Sequence, residues 1–185
     1  MRLRGTPAVP WLSFFPELNV RTYVVRDGKP GVWFFSLDAG NFAAVAIARN
    51  WFHLPYFRAR MSIAERDAWI HYQSRRTHRG AAAAAIRLKY RPITSSPHGQ
   101  SRQPAQPGSI EYFLTERYCL YTADGQGRLI RGEIHHAPWP LQFAEAEFAE
   151  NTMANAAGIA LPDSKPLLHF SKRQDVVVWP PQTIT

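Results

Sequence analysis

The feature that most constrains this chain is the strict alternation from Glu17 to Val25. Leu18, Val20, Thr22 and Val24 fall on one side of an extended backbone, and Glu17, Asn19, Arg21 and Tyr23 fall on the other. The stretch therefore reads as a strand with one apolar face. Turn residues follow at Arg26-Asp27-Gly28-Lys29-Pro30-Gly31, and then a β-branched and aromatic run from Val32 to Leu37. Together they make a hairpin whose loop is long enough for a bulge.

The same grammar recurs. Tyr56 to Ala64 and Ala68 to Thr77 form a second hairpin turning at Glu65-Arg66-Asp67, and Ala84 to Arg91 sets Ile86, Leu88 and Tyr90 against Arg87, Lys89 and Arg91. A third hairpin joins Tyr118 to Thr122 and Arg128 to His135 across Asp124-Gly125-Gln126-Gly127, and Asp175 to Trp179 reads as a terminal strand. Helical signals are short. Asn41 is a suitable N-cap for a mostly buried helix through Ala43 to Ala48 that stops before Pro55, Ser109 to Thr115 is a second short helix, and Thr152 to Ala157 is a helical turn. Phe143 to Phe148 fits strand or helix equally. From Pro92 to Gly108 the chain turns to Pro, Ser, Gln, Gly and His, which predicts a mobile loop. The fold class is mainly β (α+β), in one domain over residues 1–185 with no internal repeat.

With 45% hydrophobic and 13% aromatic residues the chain has material for a buried core. No apolar run approaches the roughly 18 residues of a membrane-spanning helix, and no signal-peptide core follows Met1-Arg2-Leu3-Arg4, so a cytoplasmic protein without a membrane partner is expected. Cys119 is the sole cysteine, which excludes an intramolecular disulfide and a cysteine-based zinc cage; its apolar neighbours predict a buried structural thiol. The net charge of +8 permits an anionic partner. The arginines are spread along the chain, with a modest concentration at Arg75, Arg76, Arg79, Arg87 and Arg91. They alternate with core-like residues as a solvated strand face would, so nucleic-acid binding there, with His71, Tyr72 and Tyr90 stacking on bases, ranks last among the readings.

No glycine-rich phosphate loop, Gly-x-Ser-x-Gly elbow or His-Glu-x-x-His helix is present, so any chemistry is sought on strand faces. Glu17, Asn19, Arg21 and Tyr23 form one such face, solvated in a single sheet but lining the lumen if the sheet closes; there a carboxylate and a guanidinium would orient a carboxylated ligand or set a general acid. Glu116 and Arg117, within Phe113-Leu114-Thr115-Glu116-Arg117-Tyr118, read first as a structural ion pair and second as catalytic groups. His135 and His136 are strand neighbours that point to opposite sides, so they do not share a metal; one of them serves as a hydrogen-bonding group or proton carrier. No metal and no cofactor is called for.

Five ordered blocks carry a resemblance to the YqjF-like bacterial family, a domain of unknown function. They are Phe14 to Val24, Gly31-Val32-Trp33-Phe34-Phe35-Ser36-Leu37-Asp38, Leu54-Pro55-Tyr56-Phe57-Arg58-Ala59, Phe113 to Tyr118, and His136-Ala137-Pro138-Trp139-Pro140-Leu141. The resemblance implies a fold related to acetoacetate decarboxylase, a cone-like, largely antiparallel β-barrel with peripheral strands and a few short helices around a pocket. Members of that family carry a further N-terminal segment, so the chain is expected to lack early strands, through a start assigned downstream or a truncated copy. The implied function is a small-molecule pocket protein for an anionic or carboxylated metabolite, either an enzyme or a non-catalytic binder. In acetoacetate decarboxylase a lysine after a Pro-containing turn forms an imine. The corresponding stretch here is Phe52-His53-Leu54-Pro55-Tyr56-Phe57, and Tyr56 can donate a hydrogen bond or act as a weak acid but cannot form an imine. Schiff-base decarboxylase chemistry is therefore not expected.

Overall fold

The computed structural model describes residues 2–3, 15–93 and 104–184, with the backbone alone at residues 2–3. The expected loop from Pro92 to Gly108 falls largely on residues 94–103, outside the described residues.

After a two-residue β1 (Arg2–Leu3), the alternating stretch becomes β2 (Glu17–Arg26), and β3 (Lys29–Ala39) returns antiparallel beside it. The turn is tighter than the sequence suggested. Only Asp27 and Gly28 separate the strands, at φ 50° and 74°, the left-handed pair that suits a twisted two-residue hairpin. The bulge expected in the loop lies instead in the ladder, where Val20 faces Ser36 and the next residue, Arg21, faces Phe34. Phe35 is the extra residue.

β3 is the hub of the sheet. Its second edge is shared, with Val32 and Trp33 parallel to β7 (Cys119–Ala123) and Leu37 to Ala39 parallel to β4 (Tyr56–Arg66). From β4 the sheet continues antiparallel through β5 (Trp69–Arg76), β6 (Ala85–Pro92), β9 (Gln142–Asn151) and β10 (His169–Phe170). From β7 it continues through β8 (Leu129–His136) to β11 (Val176–Val178) and β1, with β12 (Gln182–Thr183) also on β8. Phe143 to Phe148 is thus strand, because β6 offers it a free ladder edge. The second hairpin turns at Asp67-Ala68 rather than Glu65-Arg66-Asp67, again with positive φ at both residues.

The architecture is mostly β, but the expected barrel is corrected. Strand order runs from β1 to β10, and no pairing joins these ends among the described residues. Both end strands are only two residues long, too short for a ladder to propagate round the gap. The sheet is nevertheless strongly curled. Tyr72 on β5 donates its hydroxyl to the Glu17 carbonyl on β2 at 3.0 Å, a side-chain bridge in place of a backbone ladder.

The helices sit on this frame. Asn41 caps α1 (Phe42–Trp51) by accepting from the amides of Ala43 and Ala44 at 3.0 and 3.1 Å. Expected to be mostly buried, α1 buries only Val45 fully, and Phe42 and Trp51 are 71% and 72% exposed. It rests against β3 and β4. Ser109 caps α2 (Ile110–Thr115), and α3 (Met153–Ala156) is a single turn. No helix is long and apolar enough to cross a membrane among the described residues.

Two apolar clusters form the core. Val32, Leu37, Ala39, Val45, Leu54, Tyr56 and Leu120 make the first, and Tyr72, Ala84, Ile86 and Met153, with Leu18, Val20, Met61, Leu88 and Tyr90, make the second. The apolar face of β2 feeds the second cluster. Its Glu17 face therefore turns toward the first, each large aliphatic side chain there stabilising the fold by about 1.5–3 kcal/mol.

Candidate functional site

The register of β2 against β3 sets Glu17 opposite Ala39 and Asn19 opposite Leu37, and the register of β3 against β4 sets Leu37 beside Tyr56. Directly paired residues share a face. Glu17 and Tyr56 thus come together across β3, and the Tyr56 hydroxyl donates to Glu17 Oε2 at 2.6 Å. Tyr56 is 4% exposed. Burial pushes the Glu17 carboxyl above its usual value of 4.5, and the Tyr56 hydrogen bond pulls it partly back. The same burial, with the neighbouring carboxylate, holds the Tyr56 phenol well above its ordinary range. The pair is a carboxyl group inclined to keep its proton, oriented by a phenol that stays protonated.

Farther along the same face of β2, Asn19 and Arg21 are exposed. Arg21 does not meet Glu17. Four residues of strand separate them by roughly 13 Å, and Arg21 Nη2 instead donates to the Leu114 carbonyl at 3.3 Å, beside the Tyr23 hydroxyl, which reaches the same carbonyl at 3.0 Å. Arg117 comes to this end of the face from the segment between α2 and β7. Its guanidinium lies 4.4 Å from the Phe113 ring centre and 5.5 Å from that of Tyr23, which Arg21 approaches at 5.6 Å. Neither arginine forms an ion pair with a carboxylate among the described residues.

The Glu116–Arg117 ion pair expected from the sequence does not form. Arg117 Nη1 donates to the Glu116 carbonyl at 2.9 Å, while the Glu116 carboxylate, on a residue only 8% exposed, accepts from the Tyr118 hydroxyl. Adjacent residues here point apart, so the carboxylate finds the phenol two positions on. That bond raises the Tyr118 phenol to about 12, with burial adding to it. His135 and His136 diverge as expected: His135 is exposed, and His136 is 6% exposed, stacked on Tyr118 at 4.8 Å. The His136 ring nitrogens lie 2.9 Å from the Ala137 carbonyl and 3.3 Å from the Arg117 carbonyl. Glu116, Arg117 and His136 therefore group at one end of the face, with His135 at their exposed margin, its ring 6.4 Å from that of Tyr118, while Glu17 and Tyr56 form the other.

Cys119 is fully buried, donates to the Pro30 carbonyl at 3.5 Å, and has its thiol pushed up by burial, which fits the structural role read from the sequence. Two features escaped sequence reasoning. Asp38 and Arg76 form a bidentate pair at 2.7 Å on each arm, with side chains 0% and 4% exposed, and the Arg76 guanidinium lies 4.0 Å from the Phe57 ring centre. An open cleft of about 220 Å³ is lined in part by Gln106, Ser109, Glu111, Gln142, Phe143 and His169, with His169 Nε2 3.6 Å from Glu111 Oε1. It contains none of the sequence-predicted site residues. The signal for each is long-range pairing, which a single sequence does not display.

The profile of the DUF2071 family, described as "Uncharacterized conserved protein", matches residues 1–175. The chain is 49% identical over 180 residues to "Uncharacterized protein YqjF" of Bacillus subtilis, covering 97% of this chain and 71% of that one. Among solved structures, acetoacetate decarboxylase from Legionella pneumophila superposes with a TM-score of 0.56 at 13% identity, over 92% of this chain and 67% of that one. A second acetoacetate decarboxylase structure gives 0.55 at 11% identity, over 92% and 68%. At these identities the likeness is one of fold.

Proposed function

We propose, from the premise that the chain belongs to the DUF2071 family, that it binds a small anionic or carboxylated molecule and acts on it by proton transfer without forming an imine. The observation that carries this reading is the Glu17–Tyr56 pair, a half-buried carboxyl whose affinity for its proton is raised and whose orientation is fixed by a 2.6 Å bond. At the other end of the face, Arg21 and Arg117 gather on the Tyr23 ring with no carboxylate bound to either, a setting suited to an anionic group. The amines support the absence of imine chemistry. Lys29 is held by Glu133 at 2.7 Å, Lys89 by Glu147 at 3.0 Å, and Lys165 and Lys172 are exposed, so none is a buried, unpaired nucleophile.

Thermal-shift screening against keto acids and other carboxylates tests the binding. At least one compound is expected to raise the melting temperature of the wild type and to lose most of that effect in Arg21→Ala. A flat response of the wild type across the panel sinks the proposal. Turnover of a ligand so found then separates an enzyme from a non-catalytic binder. An enzyme loses turnover in Glu17→Gln while still binding. Incubation with acetoacetate followed by borohydride should leave the intact mass unchanged, and a reduced adduct on any lysine contradicts the imine-free chemistry.

A further inference from the structure

The outward face of β4, β5 and β6 is charged in an uneven way. Residues paired across an antiparallel ladder share a face, and Arg60 on β4 stands directly opposite Arg75 on β5. Arg58 lies two residues from Arg60 on the same strand side, and Arg87 on β6 stands opposite Gln73, two residues from Arg75. All four arginines are exposed. Like charges set directly opposite one another destabilise a sheet. None of these four guanidiniums has an ion-pair or hydrogen-bond partner among the described residues.

The next part of the same face shows the usual remedy. Lys89 and Arg91 on β6 are each met by a carboxylate from β9, Glu147 at 3.0 Å and Glu145 at 2.5 Å, and both cations lie over the Trp69 ring. The fold thus neutralises one end of this surface with ion pairs; at the other, only Arg87 has a carboxylate opposite it, Glu150 on β9, with no ion pair between them among the described residues, and Arg60 and Arg75 face only each other and Ala85. Ladder register places Arg58, the Arg60–Arg75 pair and Arg87 at successive levels on successive strands, a diagonal row. With strands about 4.8 Å apart and residues about 3.3 Å apart, it spans roughly 16 Å. Such a row is too extended for one small anion. Between the arginines the face carries Ser62 and Gln73, both exposed and polar, and no large apolar side chain that would enter a lipid layer.

We propose that this arginine row binds the phosphate backbone of a nucleic-acid strand, without reading its sequence. Guanidinium groups match phosphate oxygens bidentately, and a polymer of regularly spaced phosphates meets several of them at once. Base stacking by Tyr72 and Tyr90, expected from the sequence together with His71, has no part in it; His71 alone of the three lies exposed on the arginine face. Both tyrosine rings pack in the second core cluster on the opposite face.

The test is fluorescence anisotropy of a labelled mixed-sequence 20-nucleotide single strand, titrated at several salt concentrations. Wild type is expected to bind with an affinity that falls as salt rises, and Arg60→Glu/Arg75→Glu to bind at least tenfold more weakly with a shallower salt dependence. For single strands the slope of log affinity against log salt is about −0.7 per phosphate contact, so losing two contacts flattens it by about 1.4. Lys165→Glu/Lys172→Glu, which changes net charge equally at exposed positions elsewhere, should stay within about threefold of wild type, and circular dichroism checks that each variant is folded. Equal losses in both double variants would reduce the effect to net charge and overturn the proposal. So would absence of binding, or binding to vesicles containing phosphatidylserine but not to the oligonucleotide.

Discussion

Glu17 shows how one residue links burial, protonation and stability. Its carboxyl titrates near 4.5 in an unfolded chain, and burial raises that value in the fold. Between the two values the folded chain holds more protons than the unfolded one, so stability falls as pH rises from about 4.5 through the folded pKa. Below that window the penalty is absent. Glutamine keeps an oxygen for the Tyr56 hydroxyl and has no charge to bury. Melting temperatures of wild type and Glu17→Gln measured from pH 4 to 8 are therefore expected to diverge, the variant gaining on wild type as pH rises. A constant difference across the series would mean that burial does not shift this carboxyl. Glu17 was legible in the sequence because it sits on the polar side of a clear alternation. Tyr56 was also named, but its pairing with Glu17 was not legible, since the two meet only through the β3 register. The Glu116–Arg117 pairing failed for a related reason: proximity in sequence placed the charges side by side, and the local backbone turned them apart.

Among the elements, the long hairpins were legible because β2 and β6 each alternate polar and apolar residues along a ladder with unlike faces. The turns were less so. Left-handed backbone at Asp27, Asp67 and Ala68 closes both tight hairpins without a glycine at three of the four turn positions, so composition gave no sharp boundary. β1, β10 and β12 have two residues each, too few for any period to register. Ala68 at φ 62° carries a cost that its neighbours do not offset, since a left-handed alanine is disfavoured by about 1–2 kcal/mol. Ala68→Gly should thus stabilise the protein by about 0.5–1 kcal/mol once the greater freedom of glycine in the unfolded chain is deducted. That gain corresponds to roughly 1–4 °C in melting temperature for a chain of this size. An unchanged or lower melting temperature would show that the turn is not strained. Gly31 illustrates the opposite case. A Cβ there would stand 2.7 Å from Cys119 Sγ and 2.8 Å from the Cys119 carbonyl, so no side chain fits where β3 meets β7.

At the scale of the whole molecule, the open sheet keeps its curl through contacts that skip strands. Asp38 on β3 and Arg76 on β5 bond across the intervening β4, over the Phe57 ring, and Tyr72 ties β5 to β2. The barrel was expected from the family resemblance alone; alternation predicts which side of a strand faces inward but says nothing of how far a sheet bends, so nothing in the residues could have corrected it to the open sheet found. The Asp38 carboxylate is 0% exposed and both its oxygens are taken by Arg76, so the pair is costly to break and cheaper to replace entire. Arg76→Leu leaves a buried carboxylate without its cation and is expected to cost about 3–5 kcal/mol in urea unfolding. Asp38→Leu/Arg76→Leu removes both charges together and should be clearly more stable than Arg76→Leu alone, although it carries one more substitution. If the ion pair holds the curl as well as neutralising itself, the double variant will unfold with a changed urea dependence, because a flatter native sheet already exposes part of the surface that unfolding would expose. A single variant within 1 kcal/mol of wild type would instead place Asp38 and Arg76 among contacts the fold can lose, and leave the curl to apolar packing across the second cluster.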